Sequence, residues 1–227
     1  MRSTLFCLFF IAAVAIASGC SSADASSSTA IPVATPNPNA QTAKLETAVF
    51  AGGCFWGAEG VYEHVKGVTN VVSGYAGGSK ETANYEDVGS GTTGHAESVE
   101  VTFDPSKVTY EQLLYIFFTV AHNPTELNFQ GPDHGTQYRS AIFYQNDKQK
   151  ASAEAFIKAL TDAKFFDKPI VTEIRSLDGF YPAEKYHQDY MRLNPDDPYI
   201  VINDRPKVEA LKQRFPQLFV AQSEPPK

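Results

Sequence analysis

Apolar and polar positions alternate along this chain with two different periods, and each change of period marks an element. The first apolar block, Leu5–Ala17, is unbroken for 13 residues. It is too short to span a bilayer, which needs roughly 20. With Arg2 before it and small residues after it, it has the form of a secretory signal. Residues 21 to 44 hold Ser, Ala, Thr, Pro and Asn, with only Asp24 and Lys44 charged. Such a stretch has too little apolar surface to fold. As a flexible coil it spans on the order of 25–30 Å.

Periodic patterning begins near Leu45. Thr47–Phe50 reads as a buried strand. Ala58, Val61, Tyr62 and Val65 then recur at helical spacing, predicting a helix over Cys54–Lys66. Val68–Tyr75 reads as a strand closed by Gly77 and Gly78, and Ser79–Gly94 as a loop. His95–Phe103 alternates, with Ala96, Val99 and Val101 set against Glu97, Ser98 and Glu100. Thr109–Ala121 carries a wide apolar face, and Thr109 with Gln112 forms a capping box. Beyond a polar loop over Asn123–Tyr138 come a strand (Arg139–Gln145), an amphipathic helix (Asp147–Lys164) and a strand (Ile170–Leu177). A short helix over Pro182–Asn194 and a closing helix over Lys207–Phe215 complete the order, with Gln222–Lys227 frayed. Interleaved helices and strands without an internal repeat predict one α+β domain, a two-layer mixed sheet with flanking helices.

Composition narrows this picture. A chain of 227 residues with 43% hydrophobic and 12% aromatic content can build a large core. The net charge of −7 argues against nucleic acid or an anionic membrane surface as partner. The three cysteines, Cys7, Cys20 and Cys54, do not make a disulfide framework, and no His/Cys spacing suits zinc. No metal or cofactor is expected, and the chain is expected to act as a monomer.

The candidate chemistry centres on Ala51–Glu59. Cys54 lies where a strand turns over Gly52 and Gly53 into a helix. Unpaired N–H groups and the positive end of a helix dipole favour a thiolate there. Phe55 and Trp56 follow directly, two aromatics expected at the surface as an apolar wall beside the nucleophile. Glu97 on its strand could present an inward carboxyl that burial keeps protonated. His95, His134 and His187 fit neither a metal site nor a Cys–His dyad and are read as structural.

Gly53-Cys54-Phe55-Trp56-Gly57, Tyr85–Glu97 and Gly131–Ser140 occur in the order found in peptide methionine sulfoxide reductase A, which the region from about Leu45 to Phe215 resembles. The resemblance implies a ferredoxin-like core and reduction of the S epimer of methionine sulfoxide. It implies Cys54 as nucleophile, Glu97 as acid, Tyr85 and Tyr138 as pocket hydroxyls, and Asp133 as the residue ordering water and substrate. Many members carry a resolving cysteine near the C-terminus. None follows Cys54 here. A sulfenic acid on Cys54 would then need an outside reductant, a small thiol or a thioredoxin-like protein.

Ala17-Ser18-Gly19-Cys20 also resembles a bacterial lipobox. That implies cleavage after residue 19, lipidation of Cys20, a tether over residues 20 to 44, a catalytic domain over 45 to 218 and a tail over 219 to 227. Ser21 after the cysteine implies the outer membrane, on its periplasmic face. Two other functions compete: a thiol peroxidase, whose substrate would have no methyl for an aromatic wall, and a lipid-anchored binding protein in which Cys54 is incidental.

Overall fold

The computed structural model describes residues 44–221. The signal, lipobox and tether readings, Cys7, Cys20 and residues 222–227 lie outside the described residues. No helix among the described residues is long and apolar enough to cross a membrane.

In chain order the elements are β1 (Glu46–Ala51), α1 (Phe55–Glu63), β2 (Val68–Ala76), α2 (Tyr85–Gly89) and β3 (Ala96–Phe103). Next come α3 (Tyr110–Ile116), β4 (Phe129–Gln130), β5 (Asp133–His134), β6 (Ala141–Tyr144) and α4 (Asp147–Asp162). The last four are β7 (Glu173–Ser176), β8 (Phe180–Pro182), α5 (Tyr190–Leu193) and α6 (Arg205–Arg214). One six-stranded sheet runs β7-β6-β1-β3-β2-β8, antiparallel except for β6 beside β7. Its four central strands, with α1 crossing between β1 and β2 and α3 between β3 and β6, make the split βαβ arrangement of ferredoxin-like folds. The mixed sheet with flanking helices is therefore as the sequence patterning predicted.

The helices cover one face. Phe50 of β1 and Val99, Val101 and Phe103 of β3 meet Val61 and Tyr62 of α1, Leu113 and Leu114 of α3, and Phe156 of α4. A smaller cluster, Val49, Ala51, Ala76, Ala96, Ala141 and Phe143, lies on the other face. Coverage on both sides explains why the first four residues of β3 are all buried. It also corrects the alternation read from the sequence: Glu97 shares the helix-covered face with Val99 and Val101, while Ala96 faces the smaller cluster.

Three loop readings change as well. The stretch Ser79–Gly94 contains α2, and Asn123–Tyr138 contains the β4–β5 ribbon and a 3-10 turn over Thr136–Tyr138. Those strands are two residues long, below any periodicity. Pro182–Asn194 is not one helix: it ends β8, makes a 3-10 turn at Lys185–His187 and, past Asp189 at φ 56°, forms α5. The capping box at Thr109 is present, but α3 widens into a π turn over Phe117–Ala121.

Phe50 stacks on Tyr62, Tyr110 and Phe117, with ring centroids 5.5, 6.0 and 5.0 Å away. Phe50→Ala is expected to lower stability by about 3–5 kcal/mol, the usual cost of emptying a buried aromatic site. Urea unfolding measures it, and a loss below about 1 kcal/mol would show that the cluster does not hold β1 to the helices.

Candidate active site

The chain leaves β1 at Ala51, opposite Ser98 of β3. It must turn immediately, and two glycines let it do so against close neighbours. A Cβ on Gly52 would sit 2.7 Å from Cγ of His122, and Gly53 has φ 82° with Gln130 Cβ 2.8 Å from where its own Cβ would be. Gly53 N–H donates to the Tyr138 carbonyl at 3.2 Å, fixing the turn to the segment after β5. Cys54 then caps α1 and is 8% exposed.

Glu97 lies one residue beyond the Ser98–Ala51 pair, so its side chain comes up beneath this turn. The backbone N–H of Phe55 donates to its Oε2 at 3.1 Å. Burial pushes the Glu97 carboxyl up to about 8, with Asp133 and Asp204 adding to the rise and the Phe55 amide opposing it. Glu97 therefore holds a proton near neutral pH.

Cys54 departs from the expectation for a helix N-terminus. Burial, then the charges of Glu97 and Asp204, push its thiol up; the Trp56 amide and Lys207 work against them without prevailing. Desolvation outweighs the amide donors because Cys54 is buried between the turn and its neighbours, with little contact to solvent.

The aromatics also differ from expectation. Phe55 is 1% exposed and packs on Tyr75 and His187, so it is core and not a surface wall. Trp56 is half-buried. Its ring stacks on Tyr190 at 3.7 Å, and its Nε1–H donates to Nδ1 of His187 at 3.1 Å. Tyr85 opens α2, 40% exposed, with its ring 4.4 Å from His187. The Glu184 carboxylate accepts from the Tyr85 amide and from the Tyr75 hydroxyl, both at 2.9 Å, which ties α2 to β2. Tyr138 sits in the turn that receives Gly53. Burial and the Glu97 charge raise the phenols of both Tyr85 and Tyr138, so both remain hydrogen-bond donors.

Asp133 accepts a hydrogen bond from Tyr199. Both line a cavity of about 290 Å³ together with Cys54, Gln130, His122 and Lys207. The expected residues thus fall into two groups on either side of the Cys54 turn. Asp133 shares the cavity of Cys54, while Trp56, which follows Cys54 by two residues, and Tyr85 both pack on His187. A larger hollow of about 580 Å³ between Glu59 and the part of β2 not paired with β8 is lined by no cysteine.

The sequence reading missed several groups. His187, read as structural, links Trp56 to Tyr85. Tyr199, Asp204 and Lys207 arrive from the C-terminal segment, where the pattern showed the closing helix but not what it packs against. Glu59 is 2% exposed with its carboxyl pushed up to about 8 by burial, and it sits on a face of α1 where the pattern showed only a polar residue. His95 does behave structurally: it is buried, with Nε2 2.8 Å from the Ser79 carbonyl. No group of three or more His, Cys, Asp or Glu among the described residues could hold a metal ion.

A family model described as peptide methionine sulfoxide reductase matches residues 46–218. Peptide methionine sulfoxide reductase MsrA 2 of Mesorhizobium japonicum is 65% identical over 174 residues, covering 77% of this chain and 89% of that protein. The protein of the same description from Synechocystis sp. is 50% identical over 193 residues, covering 85% and 90%. Among solved structures, reduced Mxr1 from Saccharomyces cerevisiae matches with a TM-score of 0.61 at 34% identity, covering 69% of this chain and 90% of that one. Methionine sulfoxide reductase A of Corynebacterium diphtheriae matches with a TM-score of 0.59 at 34% identity, covering 71% and 83%.

Glu59 and Glu97 keep protons in the folded chain that the unfolded chain releases near a pKa of 4.5. Folded protein then binds more protons between about pH 4.5 and 8, and these two groups lower stability as pH rises through that window. His122, whose pKa burial lowers to about 3, acts in the opposite sense below pH 6.5. The thermal midpoint of wild type minus that of Glu59→Gln/Glu97→Gln is expected to fall steadily from pH 5 to 8. Parallel curves would show that neither carboxyl holds its proton.

Proposed function

The chain belongs to the peptide methionine sulfoxide reductase A family and is a thiol-dependent peptide-methionine (S)-S-oxide reductase, and from that premise we propose which of its residues carry the reaction and where it takes place. The observation that carries the reading is the placement of Cys54 on the turn that donates the Phe55 amide to a buried, protonated Glu97.

In this reading Cys54, as thiolate, bonds through Sγ to the sulfoxide sulfur while Glu97 gives its proton to the oxygen. The S–O bond breaks, the oxygen passes to Cys54, and methionine leaves as a thioether. In sum, Cys–SH and R–S(O)–CH₃ become Cys–S–OH and R–S–CH₃: substrate sulfur gains two electrons, and Cys54 loses two. Tyr85 and Tyr138 offer hydroxyl protons to the oxygen as charge grows on it, which is worth most where water is excluded. Trp56, held by Tyr190 and His187, supports the substrate methyl. Asp133, held by Tyr199, orders water and substrate within the cavity.

Two thiols then restore the enzyme: the first displaces the sulfenic hydroxyl as water and forms a mixed disulfide, and the second releases Cys54. Cys54 is the free cysteine among the described residues, and none follows it in the sequence. We infer that both thiols come from outside the chain, from a small thiol or a thioredoxin-like protein. The apolar run and the small residues before Cys20 support lipidation there. The domain would then be held through its N-terminal segment at the periplasmic face of the outer membrane.

Glu97→Gln keeps the size and a hydrogen bond but has no proton to give. The single-turnover rate at saturating sulfoxide is expected to fall by about 10²–10⁴-fold, with substrate affinity little changed and Cys54→Ser as the inactive control. A rate near wild type would remove Glu97 from the role of acid. Cys20→Ala is expected to move the protein from the membrane to the soluble fraction, because stable anchoring requires at least two acyl chains. Retention of this variant in membranes would refute lipidation at Cys20.

A further inference from the structure

Glu97 and Cys54 compete for a proton, and only one of the two arrangements is reactive. Thiolate with carboxylic acid can attack and protonate; thiol with carboxylate can do neither. The first turn of α1 does not choose between them, since the Trp56 amide favours the thiolate while the Phe55 amide favours the carboxylate. The choice falls to charged side chains.

One cation is built into the site. A π turn over Ile200–Asp204 runs into α6 and brings Asp204 and Lys207 against α1. A Cβ on Gly57, three residues after Cys54, would lie 2.2 Å from Asp204 Oδ1 and 2.8 Å from Lys207 Nζ. The two form an ion pair at 2.9 Å. Asp204 is fully buried, and its second oxygen, Oδ2, has no partner. Lys207 and Cys54 share the walls of the same cavity. A pair with one partner fully buried is costly to desolvate and loses much when the other partner is removed.

The charges around Cys54 can be assigned element by element. Glu97 of β3 and Asp204 disfavour the thiolate, and Lys207 favours it. Lys207 does not figure among the influences on Glu97, which are burial, the Phe55 amide, Asp133 and Asp204. Glu126 and His122 also line the cavity, and burial keeps His122 neutral. Tyr85, Tyr138 and Tyr199 stay protonated, their phenols raised chiefly by burial.

We propose that Asp204 and Lys207 are positioning residues for the reactive proton arrangement: Asp204 pins the Lys207 ammonium against the first turn of α1, where that ammonium lowers the cost of placing charge on Cys54 while Glu97 holds its proton. The proposal rests on Cys54 as the nucleophile, but alkylation tests it without any sulfoxide, so its failure is separate from failure of the reductase reading.

The full chain is treated with iodoacetamide across pH 6 to 11, and modification is followed on the proteolytic peptide that contains Cys54. Lys207→Met is expected to move the pH–rate profile upward by about one unit, slowing alkylation at pH 7 about tenfold. Lys207→Arg should restore the rate to within about threefold of wild type, since it keeps the charge. Asp204→Asn keeps the shape and an acceptor for Lys207 while removing a negative charge, so its profile should move downward. Should Lys207→Met fail to fold, Asp204→Asn/Lys207→Met leaves no unpaired buried charge; its profile should lie above that of Asp204→Asn alone. An unshifted profile in Lys207→Met, or identical profiles for Asp204→Asn with and without Lys207→Met, would overturn the proposal.

Discussion

The site depends on one hydrogen bond, from the Phe55 amide to Glu97, because it joins the first turn of α1 to β3 inside the core. It exists through register. The β1–β3 ladder ends at Ala51 and Ser98, and the next residue on β3 is Glu97. A chain that turns sharply at that point sets its helix N-terminus over that side chain. Gly52 and Gly53 permit the turn, and His122 and Gln130 press against it from the other side. A register slip of one residue would send Glu97 to the opposite face of the sheet.

Enclosure has two consequences that pull apart. It keeps Glu97 protonated at a pH where a solvated carboxyl is ionised, which suits an acid. It also raises the Cys54 thiol, which does not suit a nucleophile. The helix N-terminus does not resolve this, because two of its amides are divided between the competing groups. Charged side chains from distant segments act on both groups: Asp133 and Asp204 raise the acid further, and Lys207 opposes the rise of the thiol. The C-terminal segment thereby enters the surroundings of Cys54.

The aromatic side of the site is held by shared partners. His187 accepts from Trp56 and packs on Phe55 and Tyr85, while Glu184, three residues earlier, accepts from Tyr75 and from the Tyr85 amide. One irregular segment therefore fixes the half-buried tryptophan, the tyrosine of α2 and the strand that pairs with Glu97.

By itself the sequence determined the long elements, because helical and strand periodicity is local and survives without knowledge of the partners. It also determined that Cys54 stands at a strand-to-helix turn, since two glycines before an aromatic pair leave few other conformations. The short pieces, β4, β5 and α2, were not legible: elements of two to five residues are too short for a period to register. Only the tertiary structure decided which face Glu97 takes, because both faces of β3 near the site are covered and the alternation that would have revealed it is absent. Only the tertiary structure buried Phe55 and raised the Cys54 thiol, since desolvation depends on what the rest of the chain packs around a group. It alone brought Tyr199, Asp204 and Lys207 to a cysteine some 150 residues earlier, for a charge in sequence carries no sign of which distant dipole or thiol it will meet.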